Sequence, residues 1–329
     1  MPFLRARSHE VSGLDSELFS RCNFGEPPQA VPTVRKDVRD VVTADFRGID
    51  AVVHLAGLSN DPLGDLDPER TYEINYRASV LVAEQAKRAG VQRFVFSSSC
   101  STYGAAGDDI LDESAGFNPV TPYGESKVMA ERDIAALADD DFTPVFLRNA
   151  TAFGVSPRLR FDLVVNNLVA WASASGFIRF KSDGSAWRPL VHIEDISRAV
   201  AAVLEAPRER VHCEAFNIGK NGENYRIRDL AEIIAEVATG TEVSFAQGAS
   251  ADLRNYRVDC SKYEQTFPEM PLVWDVPRGV RELYAALQKH PVSAEEFEGI
   301  QYCRIAHLRW LIDEGLVDGA LRVTSEVAA

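Results

Sequence analysis

The first half of the chain alternates short apolar runs with amphipathic stretches. Ala51–Gly57 (AVVHLAG) is a nearly continuous apolar run, the pattern of a strand buried on both faces. Arg70–Gly90 repeats its apolar positions at helical spacing and ends on a glycine that suits a C-cap. Gln92–Ser99 (QRFVFSSS) reads as a second buried strand, Pro122–Leu137 as a helix with proline near its start, and Thr143–Ala150 as a further strand. Strand, helix, strand in this rhythm predicts an α/β fold with a doubly wound parallel sheet. Ahead of it, Pro2–Ser8 has the pattern of the last turns of a helix, and Glu10–Asp15 that of a short strand ending on an acid.

After Gly154 the rhythm breaks. Residues 158–192 are irregular, then a helix (Glu194–Ala206) and a strand (Glu214–Gly219) restore it. The expected division is a dinucleotide-binding domain over 1–154, rejoined by about 190–220, with a smaller substrate-binding lobe from 155–189 and 221–290. An amphipathic helix near Asp229 belongs to that lobe. The remainder, 291–329, reads as a C-terminal helical tail that opens on a capping box at Ser293 and frays at its end.

Composition narrows the function. The 329 residues carry a formal charge of −14, with acids spread along the chain, which argues against non-specific nucleic-acid binding. The 5 cysteines are scattered without a C-x-x-C pair, as expected of reduced thiols in a cytoplasm. The histidines show no ligand spacing, so no metal is expected, and no apolar run is long enough to span a bilayer.

One pair of residues carries chemistry. Tyr123 and Lys127 stand four apart on a predicted helix and share a face. A free tyrosine titrates near pH 10, and bringing it to neutrality takes roughly 3 units, about 4 kcal/mol. A neighbouring ammonium favours the phenolate and works in that direction. Ser99 closes the preceding strand at its C-terminal end, where open α/β sheets place their ligands. A hydroxyl there can hold the oxygen that Tyr123 deprotonates.

With these residues in this order, the chain resembles the extended short-chain dehydrogenase/reductases of the NAD-dependent epimerase/dehydratase kind, from Leu4 to about Tyr284. The resemblance implies a Rossmann-like sheet and a catalytic triad of Ser99, Tyr123 and Lys127. It implies NAD, in preference to NADP, held by Asp15 at the adenosine ribose and by Asp37 and Val38 beside the adenine. Leu55, Ala56 and Gly57 would line the diphosphate side, Asn75 would support the site, and Lys127 would also meet the nicotinamide ribose. It further implies a nucleotide-sugar substrate and a homodimer. Asn167 in VVNNLV and Arg188 in WRPLVHIED match segments that meet the substrate diphosphate. Arg158 and Arg160 lie near the expected mouth, where a planar guanidinium fork suits phosphate oxygens.

Three departures stand out. Where 4-epimerases of the family place an arginine three residues before an aspartate, this chain has Ala249 before Asp252, so Arg254 or Arg257 is the candidate to compensate. Where the family's sugar 4,6-dehydratases place an acid pair after the catalytic serine or threonine, this chain has Cys100 and Ser101, so that dehydration lacks its general acid and base. Cys100 reads instead as a small buried residue. Finally, the family opens on a strand and a glycine-rich turn that meets the diphosphate, and no such turn precedes Asp15. The expectation is an N-terminally truncated Rossmann domain that binds NAD poorly as written. The functional alternatives are a nucleotide-sugar epimerase, a net reductase or dehydrogenase of the same family, and an inactive remnant that acts only as a binding protein.

Overall fold

The computed structural model describes residues 1–27, 29–59, 67–180, 183–245 and 255–324. In chain order the strands are β1 (Gly13–Asp15), β2 (Thr33–Arg35), β3 (Ala51–His54), β4 (Arg93–Ser99), β5 (Ala105–Leu111), β6 (Thr143–Asn149), β7 (Thr151–Phe153), β8 (Phe177–Phe180), β9 (Trp187–His192), β10 (Ala215–Ile218), β11 (Asn224–Arg226), β12 (Glu242–Phe245) and β13 (Asn255–Val258). The central sheet is parallel, in the order β10–β6–β4–β3. β1 and β2 pair parallel with each other as a separate ladder.

Alternation along β4 explains the two covered faces. Phe94 and Phe96 point to one side, where they meet α2 (Ala78–Arg88) and α3 (Pro122–Ala135) through Val82, Ala86, Ala130 and Ile134. Val95 points to the other, where it packs with Val145, Leu147 and the apolar stripe of α5 (Ile193–Glu205), Ala199 and Val203. The next helix in chain order after β7 is α4 (Val164–Ser175). A separate buried cluster forms where α4, α6 (Asp229–Val237) and α7 (Val276–Lys289) pack around Val165, Leu230 and Val280.

Several elements depart from the sequence pattern. The apolar run at Ala51 forms only a four-residue strand. It sits at the end of the four-strand ladder, so Ala51, Val52 and Val53 are half-buried and Leu55 is 65% exposed. The first strand is confined to Gly13–Asp15. The helix before Gly90 is not α-helical throughout: a π-helical stretch, Tyr72–Arg77, joins Pro68–Thr71 to α2. Ser293 and Glu296 form the expected capping box on α8 (Ala294–Glu298), followed by α9 (Arg304–Asp313). Residues 325–329, where fraying is expected, lie outside the described residues, and the chain before them is ordered. Val317 and Val323 bridge each other, and Leu308, Leu311, Val317 and Leu321 pack against Leu58 and Ile74 of the first half. Ala249, Asp252 and Arg254 lie outside the described residues. No helix among the described residues is long and apolar enough to cross a membrane.

Candidate active site

The register of β4 on β6, ending at the Ser99–Asn149 pair, sets Ser99 at the carboxyl edge of the sheet. There Ser99 caps a 3₁₀ turn over Cys100–Tyr103, and its Oγ accepts from Ser101 N (3.1 Å) and Ser101 Oγ (2.8 Å). With Ser101 donating to it, the Ser99 hydroxyl keeps its own proton to donate. α3 starts beside this turn because Thr121 accepts from Gly124 N (3.2 Å) and Pro122 fills the first position, where no N–H is needed. Gly124 permits the approach: a Cβ there would lie 3.0 Å from the Ser101 carbonyl oxygen. The turn of Ser99 and the helix of Tyr123 are thus brought together by backbone contact.

Lys127 lies one turn on, on the inner face of α3. Its Nζ donates to the Ser97 carbonyl (2.8 Å) and lies 5.8 Å from the Tyr123 ring centroid and 4.7 Å from that of Phe96. Burial lowers its pKa from 10.5 to about 8, opposed by the charge of Glu131. Gly57 forms the facing wall. A Cβ on Gly57 would meet Asn75 Oδ1 at 3.0 Å and Lys127 Nζ at 4.0 Å. Asn75 fixes that wall by accepting from Leu58 N (2.6 Å) and donating to Leu58 O (2.9 Å). It does so from the π-helical stretch, a distortion that often accompanies functional sites. His54, bonded to Ser79 (2.8 Å), is held neutral: burial first and Lys127 second lower its pKa to about 3.

A buried network that sequence reasoning does not nominate lies behind Ser99, Tyr123 and Lys127. Glu131, one further turn along the Tyr123–Lys127 face, accepts from Ser98 Oγ and pairs with Arg148 at 2.8 Å. Arg148 Nη1 donates to Tyr103 Oη (3.0 Å), Tyr103 donates to Asn217 Oδ1 (2.8 Å), and Asn217 N donates to Glu113 (2.6 Å). These bonds lock α3 to the ends of β4, β6 and β10. The i, i+4, i+8 spacing of Tyr123, Lys127 and Glu131 is the signal that could have found it. Cys100 is fully buried, donates toward the Arg148 carbonyl (3.0 Å), and has its thiol pKa pushed up by burial, as befits a packing residue.

The remaining candidates fall into three groups. Asp15 ends β1 and accepts from Glu17 N (2.6 Å), while Asp37 is clasped by Arg39 (2.6 Å) and Val38 packs at the edge of the core beside α2. Leu55, Ala56 and Gly57 follow β3, with Leu55 exposed. Arg160 chelates Asp162 (2.9 and 3.0 Å) and donates to Ser59 Oγ (2.6 Å), tying the loop before α4 to the loop after β3. Arg158 donates to the Phe19 carbonyl. Asn167 turns inward to the Phe161 carbonyl (2.8 Å) from within α4. Arg188, on β9, is buried at 5% exposure with its guanidinium 5.7 Å from the Tyr256 ring, and Arg257 on β13 lies 5.0 Å from the Trp187 ring.

A parallel sheet covered by helices on both faces, with its polar side chains gathered at the carboxyl ends of the strands, defines a Rossmann-like α/β protein. The chain belongs to the NAD dependent epimerase/dehydratase family, whose model matches residues 1–219. It is 27% identical to the UDP-glucose 4-epimerase of Bacillus subtilis (strain 168), over 72% of this chain and 74% of that protein. Among solved structures it resembles MoeE5 in complex with UDP-glucose and NAD, with a TM-score of 0.75 and 24% identity over 88% of this chain and 94% of that one. It also resembles the UDP-glucuronic acid 4-epimerase of Bacillus cereus, with a TM-score of 0.74 and 20% identity over the same 88% and 94%.

Proposed function

We propose that the chain is an NAD-dependent nucleotide-sugar epimerase acting on a UDP-hexose. The observation that carries this reading is the buried Lys127 ammonium between the Gly57–Asn75 wall and the Tyr123 ring. Tyr123, as phenolate, takes the proton of a sugar hydroxyl. The Ser99 hydroxyl donates to the same oxygen, and Lys127 keeps the tyrosine acidic. NAD held at Gly57 and Lys127 would supply the hydride acceptor and donor that this inversion needs.

The residues present fit the nicotinamide end of the cofactor. Gly57 leaves space that a side chain would fill, and Lys127 borders that space with a charge suited to a ribose hydroxyl. Asp15, Asp37, Val38, Leu55 and Ala56 are assigned to the rest of the dinucleotide. Arg158, Arg160, Asn167, Arg188 and Arg257 are assigned to the substrate diphosphate.

Incubation with UDP-glucose or UDP-galactose and NAD, followed by proton NMR of the anomeric signals, is expected to show interconversion of the two. Unchanged spectra with both sugars would overturn the UDP-hexose assignment. We also assign a homodimer built on α2 and α3. Light scattering is expected to give twice the 36.3 kDa chain mass, and a monomer at micromolar concentration would refute it.

A further inference from the structure

The adenosine end fits less well, because other residues of the same chain pack against its flanks, at Leu18 to Arg21 on one side and Asp37 to Asp40 on the other, while Asp15 between them stays exposed. His307 on α9 bonds the Leu18 carbonyl (2.9 Å), just beyond Asp15. Arg304 lies 4.6 Å from the Phe19 ring, and Arg21 lies 5.5 Å from that of Trp310. Leu308, Leu311, Val317 and Leu321 share a buried cluster with Leu58 and Ile74, the residues next to Gly57 and Asn75. At the far end Arg39 donates to the Ala320 carbonyl (2.8 Å), and Arg322 bonds Asp40 and lies 3.8 Å from Asp37. The space left between Ser16–Arg21 and this segment is about 40 Å³, against the roughly 300–1,000 Å³ of a small-molecule site.

We propose that the segment Arg304–Val323 is a self-docked cap over the adenosine end of the cofactor site, so that the docked segment and bound NAD exclude each other. This rests on the assignment of Asp15, Asp37 and Gly57 to NAD made above. The segment belongs to the same chain, so it meets its site at the high effective concentration of an intramolecular partner. NAD then binds only the fraction of molecules in which the cap is away, and its apparent affinity falls by that fraction. The contacts are of two kinds, an apolar patch along α9 and an ionic clasp at Arg322, and each can be loosened without substituting an assigned cofactor residue.

The test uses the full chain and two variants. Leu308→Asp puts a charge into the apolar patch. Arg322→Glu sets a third negative charge beside Asp37 and Asp40, and as a partly exposed change it leaves the core intact. Calorimetry with NAD is expected to give at least tenfold tighter binding for both variants than for the natural chain. Hydrogen exchange of the natural chain, which needs no substitution, is expected to show amides in 304–323 losing protection as NAD is added at millimolar concentration. Equal NAD affinity in all three proteins, with the segment equally protected at saturating NAD, would overturn the cap while leaving the cofactor assignment standing. Absence of NAD binding in variants whose segment exchanges freely would instead overturn the cofactor assignment, and the cap with it.

Discussion

Replacing Tyr123 with phenylalanine is expected to lower turnover of the UDP-hexose by about 10²–10⁴-fold, the range in which a positioned general base contributes. The fold should survive the change. The phenyl ring keeps its place 5.8 Å from Lys127 Nζ, and α3 keeps its Thr121 cap and its contact through Gly124. Only the titrating oxygen is lost. Thermal midpoints of the two proteins should therefore agree closely while rates diverge. Turnover within tenfold of the natural chain would remove Tyr123 from the mechanism.

Lys127→Met is expected to act in opposite directions on stability and activity. Burial shifts the lysine from 10.5 to about 8, so keeping it charged in the fold at pH 7 costs about 3 kcal/mol relative to the unfolded chain. Losing its bond to the Ser97 carbonyl gives back roughly 1 kcal/mol of that. The methionine variant should thus be more stable by roughly 1–2 kcal/mol at pH 7 in urea denaturation. Between pH 8 and 10.5 the unfolded lysine holds more protons than the folded one, so stability of the natural chain rises with pH from this group. The advantage of the variant should shrink across that window. Activity should fall and appear only at higher pH, because the phenolate has lost its cation. A variant less stable than the natural chain at pH 7 would mean that the ammonium is not the burden its burial implies.

The parts of this molecule that a sequence shows are those fixed by local pattern. β4 and β6 read as buried strands because both of their faces are covered, and the boundaries of α3 are marked by Thr121 and Pro122. Ser99, Tyr123 and Lys127 could be grouped because one lies at a strand end and two share a helix face. What the sequence hides is set by contacts distant along the chain. Ala51–Val53 has the composition of a central strand, yet its exposure follows from what lies beside it in the ladder. Nothing local marks Arg188 as buried against Tyr256. Glu131 is one acid among 49 until Arg148, 17 positions away, turns it into the anchor of α3. The docking of 304–323 on Leu18, Leu58 and Asp37 could not be read at all, because no local periodicity records where an amphipathic segment will land.

The π-helical stretch at Tyr72–Arg77 carries a consequence for how this site can change. Such a stretch holds one residue more per turn than its α-helical neighbours, so the helix on either side is out of phase by about 100°. Removing one residue of this stretch other than Asn75 would restore regular hydrogen bonding and shift the phase of Asn75 against the chain that bonds it at Leu58. The insertion is locally unfavourable but hard to lose, since its removal dismantles the shelf behind Gly57. Drift by point substitution can retune the arginines around the substrate, whereas drift by deletion in this helix meets a barrier, and the two halves of the site are open to change at different rates.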